Sequence, residues 1–484
     1  MTNRDPEGGR VTRRQFVRNL GAGALGMIAA ERSSVFAAPQ GSKSVTRKPN
    51  IIFILADDLG YGNLGCYGQE LIKTPSLDRM AAEGVRFTDH YAGSTVCAPA
   101  RCALMTGLHT GHALVRGNAR IPLRPEDVTV AEVLKHAGYA TAIFGKWGLG
   151  EPDTTGIPNK HGFDEWFGYL NQGHAHNYYP DYLWRNEERQ EIPENADGKK
   201  GAYSHDLFTD ESLDFIKRNQ DRPFFLYLAY TIPHANNELS REIGNGMEVP
   251  SDEPYANEPW PQVEKDFAAM VTRMDTDVGR IVSLLREQGI DDDTVIFFTS
   301  DNGPHREGGH NPEFFRDSGP LRGIKRDLYE GGIRVPTLAR WPGRIQAGSV
   351  SDHAWAFWDF LPTACELAGA PVPKHIDGLS FLPALLGRPQ KAHEYLYWEF
   401  HERGISQAIR MGNWKGVRRG SRTAKTELYD LAYDLGETTN VADQHPDVVK
   451  RIEDLFAAAR TDNPHFPVRD AKPRPRKKKP AAKT

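Results

Sequence analysis

The chain has 484 residues, of which 39% are hydrophobic, 10% aromatic and 26% charged, with a mean hydropathy of −0.57. These values exclude a disordered or collagen-like polymer and describe a water-soluble globular protein larger than one compact core ordinarily holds. The net charge of −4 averages unlike parts: six arginines oppose three acids in residues 1–37, seven basic residues stand unopposed in 471–484, and the stretch between carries −14, which argues against nucleic acid as a main partner.

The N-terminus reads Thr12-Arg13-Arg14-Gln15-Phe16-Val17-Arg18, followed by an apolar stretch from Leu20 to Ala30 and by Val35-Phe36-Ala37. Paired arginines, weak apolarity and a small-residue exit predict a twin-arginine export signal over 1–37, better than a short buried helix does. The protein is therefore expected to cross by the twin-arginine translocase and to work in the periplasm or outside the cell. No later uncharged run approaches the ~18 residues of a membrane span.

Apolar β-branched runs at Ile51–Ala56, Ala140–Phe144, Phe224–Tyr230 and Val295–Thr299 predict buried strands. Amphipathic stretches at Val128–Ala137 and Val263–Leu285 predict helices, the second from Val263, Phe267, Met270, Met274, Val278, Ile281 and Leu285 at helical spacing. Such alternation predicts an α/β fold, a large mixed and mostly parallel sheet sandwiched by helices, over residues 48–390. Short strands at Tyr395–Phe400, Ser406–Ile409, Trp414–Arg418 and Glu427–Tyr429, then a helix Pro446–Ala459, predict a smaller C-terminal antiparallel-sheet domain over 391–465. The Pro/Lys-rich end, 466–484, reads as a solvated disordered tail or as a polyanion-attracting one.

Two strands end in acidic pairs. Ile51–Ala56 runs into Asp57-Asp58-Leu59-Gly60, and Val295–Thr299 into Ser300-Asp301-Asn302-Gly303. Either pair alone reads as a loop or cap, but both at the carboxyl rim of one sheet offer oxygen ligands without His or Cys, suited to Ca²⁺ or Mg²⁺. The four cysteines, Cys66, Cys97, Cys102 and Cys365, are too few to staple the chain and form no CxxC. In Cys97-Ala98-Pro99-Ala100-Arg101, Pro99 fits a first helical turn and sets Cys97 where free N–H groups favour anions. A packed core cysteine is the other reading, and a thiol nucleophile would need a base that spacing does not locate.

Cys97-x-Pro99-x-Arg101 with Thr106-Gly107, between the two acidic pairs, resembles the type I formylglycine-dependent sulfatases of the alkaline-phosphatase superfamily. Further resemblances follow in that family's order: Gly138-Tyr139-x-Thr141-Ala142 leading to Gly145-Lys146-Trp147, Pro233-His234 after a strand, Gly323-x-Lys325 before Tyr329-Glu330-Gly331-Gly332, and Leu428-Tyr429-Asp430-Leu431 with Asn440. The resemblance spans about residues 48–460. It implies that a formylglycine-generating enzyme oxidises Cys97 to formylglycine, whose hydrated form attacks the sulfur of a sulfate monoester and breaks the S–O bond. It further implies a divalent ion on Asp57, Asp58, Cys97, Asp301 and Asn302, where the several acidic and amide oxygens favour Ca²⁺, with Mg²⁺ as the alternative. Arg101 would support the diol, Lys146 and Lys325 would hold sulfate oxygens, and His234 would protonate the leaving group. A sulfated carbohydrate is the substrate implied for an exported enzyme.

Two positions depart from the family pattern. Ala100 replaces a serine, which the modification pattern tolerates. Gly148, in Gly145-Lys146-Trp147-Gly148, replaces a histidine expected beside the diol, and His174 and His176 of Gly173-His174-Ala175-His176 are the candidates to supply the missing imidazole. Besides sulfate-ester hydrolysis, phosphonate or phosphate monoester hydrolysis and non-catalytic binding of sulfated glycans stay open. The aromatic stretch Asn177-Tyr178-Tyr179-Pro180 with Tyr182-Leu183-Trp184 reads equally as a sugar platform or as core.

Overall fold

Ile51 through Ala56 carries apolar side chains on both faces, as required of a strand covered on both sides. In the computed structural model, which describes residues 48–402 and 404–470, Asn50–Ala56 is a central strand, flanked in parallel by Thr294–Ser300 and Phe224–Ala229. Ala140–Lys146 and then Glu165–Tyr169 extend the parallel set. Beyond it, Thr337–Arg340 pairs antiparallel with Thr294–Ser300 and with Val85–Phe87, and Tyr182–Arg185 and Glu188–Glu191 add an antiparallel hairpin at the other edge. With Ser349–Ser351 the sheet has ten strands. The predicted mixed, mostly parallel sheet is present.

The pleat divides the core in two. Ile52, Ile54 and Ala56 pack with Phe267, Met270, Met274, Val278 and Ile281 of the helix Gln262–Glu287. Ile51, Phe53 and Leu55 pack on the opposite face with Phe360 and Leu361 of the helix Phe360–Ala368. Val263, at the helix start, is only partly buried.

Leu396–Phe400, Ser406–Met411, Trp414–Arg418 and Glu427–Asp430 form a separate four-stranded antiparallel sheet. The helix Pro446–Ala458 covers one face through Ile452, Leu455 and Phe456. The other face lays Trp398, Ala408 and Val417 on Tyr91, Trp358 and Tyr329. Buried ion pairs join the sheets, Lys415 to Glu330 at 2.6 Å and Arg116 to Glu399 at 2.7 Å. The predicted export signal, 1–37, lies outside the described residues, as do 471–484 of the predicted tail; its first residues, 466–470, are described, with Phe466 buried, and among the described residues no helix is long and apolar enough to cross a membrane.

Candidate active site

Parallel strands deliver their last residues to one rim, and the side chains there are chemical. Asp57 and Asp58 follow Ala56, Asp301 and Asn302 follow Ser300, and Lys146 closes its own strand. The strand pairing continues into the turns: Asp301 N–H donates to the Ala56 carbonyl, and Asp57 N–H to that of Ile232. Asp58 adopts φ +69°, unusual for a residue with a side chain. Its N–H donates to Asp301 Oδ1 at 3.2 Å, and the next N–H, of Leu59, donates to Ser300 Oγ at 2.8 Å. The strained turn thus exists because the other acidic strand end holds it.

Cys97 opens the helix Cys97–Thr106, as Pro99 predicted, after an extended Val96. Its thiol donates to Asp57 Oδ1 at 3.3 Å. One helical turn on, Arg101 grips Asp301 Oδ2 through Nε at 3.1 Å and Nη2 at 2.8 Å, and donates to the Lys146 carbonyl at 2.7 Å. Lys146 Nζ donates to Asp57 Oδ2 at 2.6 Å, and Lys325 Nζ to Asp58 Oδ2 at 2.7 Å. Asn302 Nδ2 donates to Asp58 Oδ1 at 2.6 Å. All of these side chains are buried.

Charge compensation sets the protonation states. Burial opposes ionisation of Asp57, but Lys146 and Arg101 hold it well below the usual carboxylate range; Lys325 lowers Asp58 against the same penalty. Burial and the Asp57 charge push Asp301 up to about 7. Burial, then Asp57, raises the Cys97 thiol well above its ordinary value, so it is a protonated thiol and a poor nucleophile. Burial and the Lys325 ammonium bring His234 down to about 3. Its imidazole is neutral, with Nδ1 donating to the Ala235 carbonyl at 2.7 Å and Nε2 accepting from Lys325 Nζ at 3.0 Å.

Ligand atoms of Asp57, Asp58, Cys97 and His234 lie within 4.8 Å of one another. Asn302 Oδ1 is buried without a hydrogen-bond partner, on the same amide whose Nδ2 donates to Asp58 Oδ1. An orphaned amide oxygen beside buried carboxylates fits a hard divalent cation. Asp301 is adjacent, with Oδ2 committed to Arg101.

The two loop histidines part company. His176 stacks on His234 at 4.8 Å, nearly parallel, and its Nδ1 lies 2.8 Å from Glu238; burial and then Lys146 lower its pKa. His174 packs against Tyr169 and Tyr182 and is not brought to the cluster. Tyr178 is core: its hydroxyl donates to the Thr231 and His234 carbonyls and so braces the histidine loop.

Sequence reasoning missed Glu307 and Gln172. Glu307 accepts from Lys325 at 3.3 Å and from Arg326 at 2.5 Å, in the loop that begins at Asp301. Gln172 donates to the Gly148 carbonyl at 3.4 Å and occupies the space of the missing side chain. The offset of Glu307 from Asp301 within one strand-end loop was a usable signal; the Gln172 contact had none.

Cations packed this closely on buried carboxylates beside a helix start are organised to receive an anionic group, and with the parallel sheet they define the class: an α/β protein with a site for anionic ligands. Comparison with known proteins narrows the class. A family model described as Sulfatase matches residues 49–370, and one described as N-sulphoglucosamine sulphohydrolase, C-terminal, matches 324–462. N-acetylgalactosamine-6-sulfatase of Canis lupus familiaris is 36% identical over 472 residues, covering 89% of this chain and 84% of that one. Arylsulfatase A of Homo sapiens is 33% identical, covering 88% and 90%. The crystal structure of Ps i-CgsB in complex with k-i-k-neocarrahexaose superposes with a TM-score of 0.74 at 30% identity, covering 85% of this chain and 93% of that one. The chain belongs to the sulfatase family, and it is a sulfuric ester hydrolase.

Proposed function

We propose that this enzyme removes sulfate from a sulfated carbohydrate after export, with Cys97 converted to formylglycine and a divalent cation, Ca²⁺ in preference to Mg²⁺, on Asp57, Asp58, Asp301 and Asn302. The single observation that carries the reading is the setting of Cys97: a protonated, buried thiol at a helix start, bonded to Asp57 and ringed by Arg101, Lys146 and Lys325. Such a thiol is a poor nucleophile, yet every neighbour suits an oxygen nucleophile and an anionic ester. The hydrated aldehyde would supply that oxygen, and a divalent cation held by Asp57, Asp58, Asp301 and Asn302 would supply Lewis-acid polarisation there.

The remaining chemistry belongs to the chain's own side chains. Lys146 and Lys325, whose ammonium groups sit at the Asp57 and Asp58 carboxylates, would face the sulfate oxygens, where charge develops as the S–O bond breaks. Arg101, fixed by Asp301 and the Lys146 carbonyl, orients the helix start that bears residue 97. The departing alcohol takes its proton from the Lys325–His234 pair, because His234 is neutral and its Nε2 faces the Lys325 ammonium. His176, stacked on His234 and under the influence of Lys146, supplies the imidazole missing at Gly148.

The relatives named N-acetylgalactosamine-6-sulfatase and the neighbour solved in complex with k-i-k-neocarrahexaose support a carbohydrate substrate. Arg13-Arg14 and the apolar stretch after them support export by the twin-arginine route, which implies that a formylglycine-generating enzyme acts before export. The test is intact-mass analysis for the aldehyde at position 97, with 4-nitrophenyl sulfate and defined sulfated disaccharides as substrates. Cys97→Ala should retain the fold and lose turnover; undiminished turnover by that variant refutes the mechanism.

A further inference from the structure

A cavity of about 470 Å³ adjoins the catalytic cluster, between the loop that carries Glu307 and Lys325 and the strand ends of the four-stranded sheet at Phe400, Ser406 and Arg419. Its size is that of a small-ligand pocket. One wall is Lys325 and Glu307, which already belong to the site. The opposite wall is Glu402, Arg419 and Gly420 from the C-terminal sheet and its connections.

Arg326 joins the walls. It adopts φ +78°, costly for a residue with a side chain, and its N–H donates to the Thr95 carbonyl at 3.0 Å. This turn sends Lys325 inward to Asp58 and Arg326 outward into the cavity, where its guanidinium binds Glu307 at 2.5 Å and Glu402 at 3.1 Å. Two carboxylates therefore neutralise Arg326. Arg419 is different. Its guanidinium lies over the Tyr329 ring at 5.4 Å and donates to the Tyr329 hydroxyl at 3.4 Å, and it makes no ion pair with a carboxylate among the described residues. Tyr329 holds a cation at the cavity wall, and the charge is left for an incoming group.

We propose that this cavity is a subsite for the sugar residue next to the sulfated one, and that Arg419 reads an anionic substituent on it, a carboxylate or a second sulfate. The Glu307–Arg326–Glu402 fork faces the hydroxyls of the same ring. A guanidinium forks onto either anion in two hydrogen bonds, which gives the subsite its preference for a doubly anionic oligosaccharide. This inference rests on the carbohydrate-sulfatase reading above.

The experiment measures kcat/KM of the formylglycine-bearing enzyme on three disaccharides with the same sulfated galactosamine residue. The second residue is a hexuronate, its neutral methyl ester, or a sulfated neutral hexose. The wild type should prefer one or both doubly anionic substrates over the ester, and which one identifies the anion. In Arg419→Ala that preference should fall about 10- to 100-fold, the scale of a charge-assisted contact, and Arg419→Lys should retain part of it. No preference in the wild type, or an unchanged preference in Arg419→Ala, overturns the subsite. Failure of the wild type to turn over 4-nitrophenyl sulfate as well as every disaccharide overturns the sulfatase reading instead.

Discussion

The amide nitrogen of Gln172 lies where a side chain at position 148 would begin: a Cβ on Gly148 would stand 2.8 Å from it, and 3.8 Å from Arg101 Cδ. Gly148 also has φ +84°, a conformation that favours glycine. The absent histidine is thus not an open void, since backbone and neighbour have both adjusted to its loss. Gly148→His should therefore lower stability by about 1–3 kcal/mol rather than improve turnover. Adding Gln172→Ala should return part of that loss. Denaturant midpoints of the single and double variants check this, and a single variant as stable as the wild type would contradict it.

Loop histidines separate by environment. His176→Ala should slow turnover of an aryl sulfate by roughly 10² to 10⁴, the scale of a lost acid–base group, with little change in bound metal. His174→Ala should leave turnover near that of the wild type and lower the melting temperature instead, because its ring packs between Tyr169 and Tyr182. Equal kinetic losses in the two variants would reject the division.

Much of this site was legible because its chemistry sits at strand ends. Runs such as Ile51–Ala56 are apolar on both faces and announce central strands, and polar residues directly after them fall at one rim whatever the loops do. Asp57, Asp58, Asp301 and Asn302 follow from that rule, and the helix-start position of Cys97 from Pro99 in the first turn, whereas Lys146 follows only from the family resemblance. Contacts across long loops were not legible. The rings of His174 and His176 diverge over one short turn, and nothing in Gly173-His174-Ala175-His176 says which meets His234. Likewise the sequence leaves Tyr178 equally open as sugar platform or core, until its hydroxyl is seen on the Thr231 and His234 carbonyls. The short strands Val85–Phe87 and Thr337–Arg340 were also missed, since three or four residues carry too little periodicity.

Metal dependence follows from the carboxylates. Asp58→Asn removes one negative charge while preserving shape, leaving Lys325 with Glu307 alone as an anionic partner, at 3.3 Å. The variant should bind Ca²⁺ at least ~10-fold more weakly and lose most turnover. Exhaustive chelation of the wild type should abolish turnover, and added Ca²⁺ should restore it. Calorimetric titration and metal analysis read the first effect, and full activity of the chelated enzyme would exclude a metal role.

Behind the Asp57-Asp58 turn lies a buried group with its own pH dependence. His310 Nδ1 contacts Glu264 and Nε2 contacts Asp317, each at 2.6 Å, and its ring stacks on Phe267 at 3.8 Å. Asp317 in turn accepts from Asn63, whose Oδ1 accepts the Gly60 N–H, so the pair supports the loop after the first acidic strand end. Burial opposes charging of the imidazole, but the two carboxylates win and raise His310 to about 9. A folded-state value above the unfolded 6.5 contributes stability in full below pH 6.5 and loses it as pH rises through about 9. Burial also raises Asp317, which acts in the same direction. The loss across that window should be on the order of 3 kcal/mol. His310→Gln should be less stable than the wild type at pH 6.5, since it strands two buried carboxylates, and its urea midpoint should vary less from pH 6.5 to 9. Identical pH slopes for the two proteins would show that His310 is not charged in the folded state.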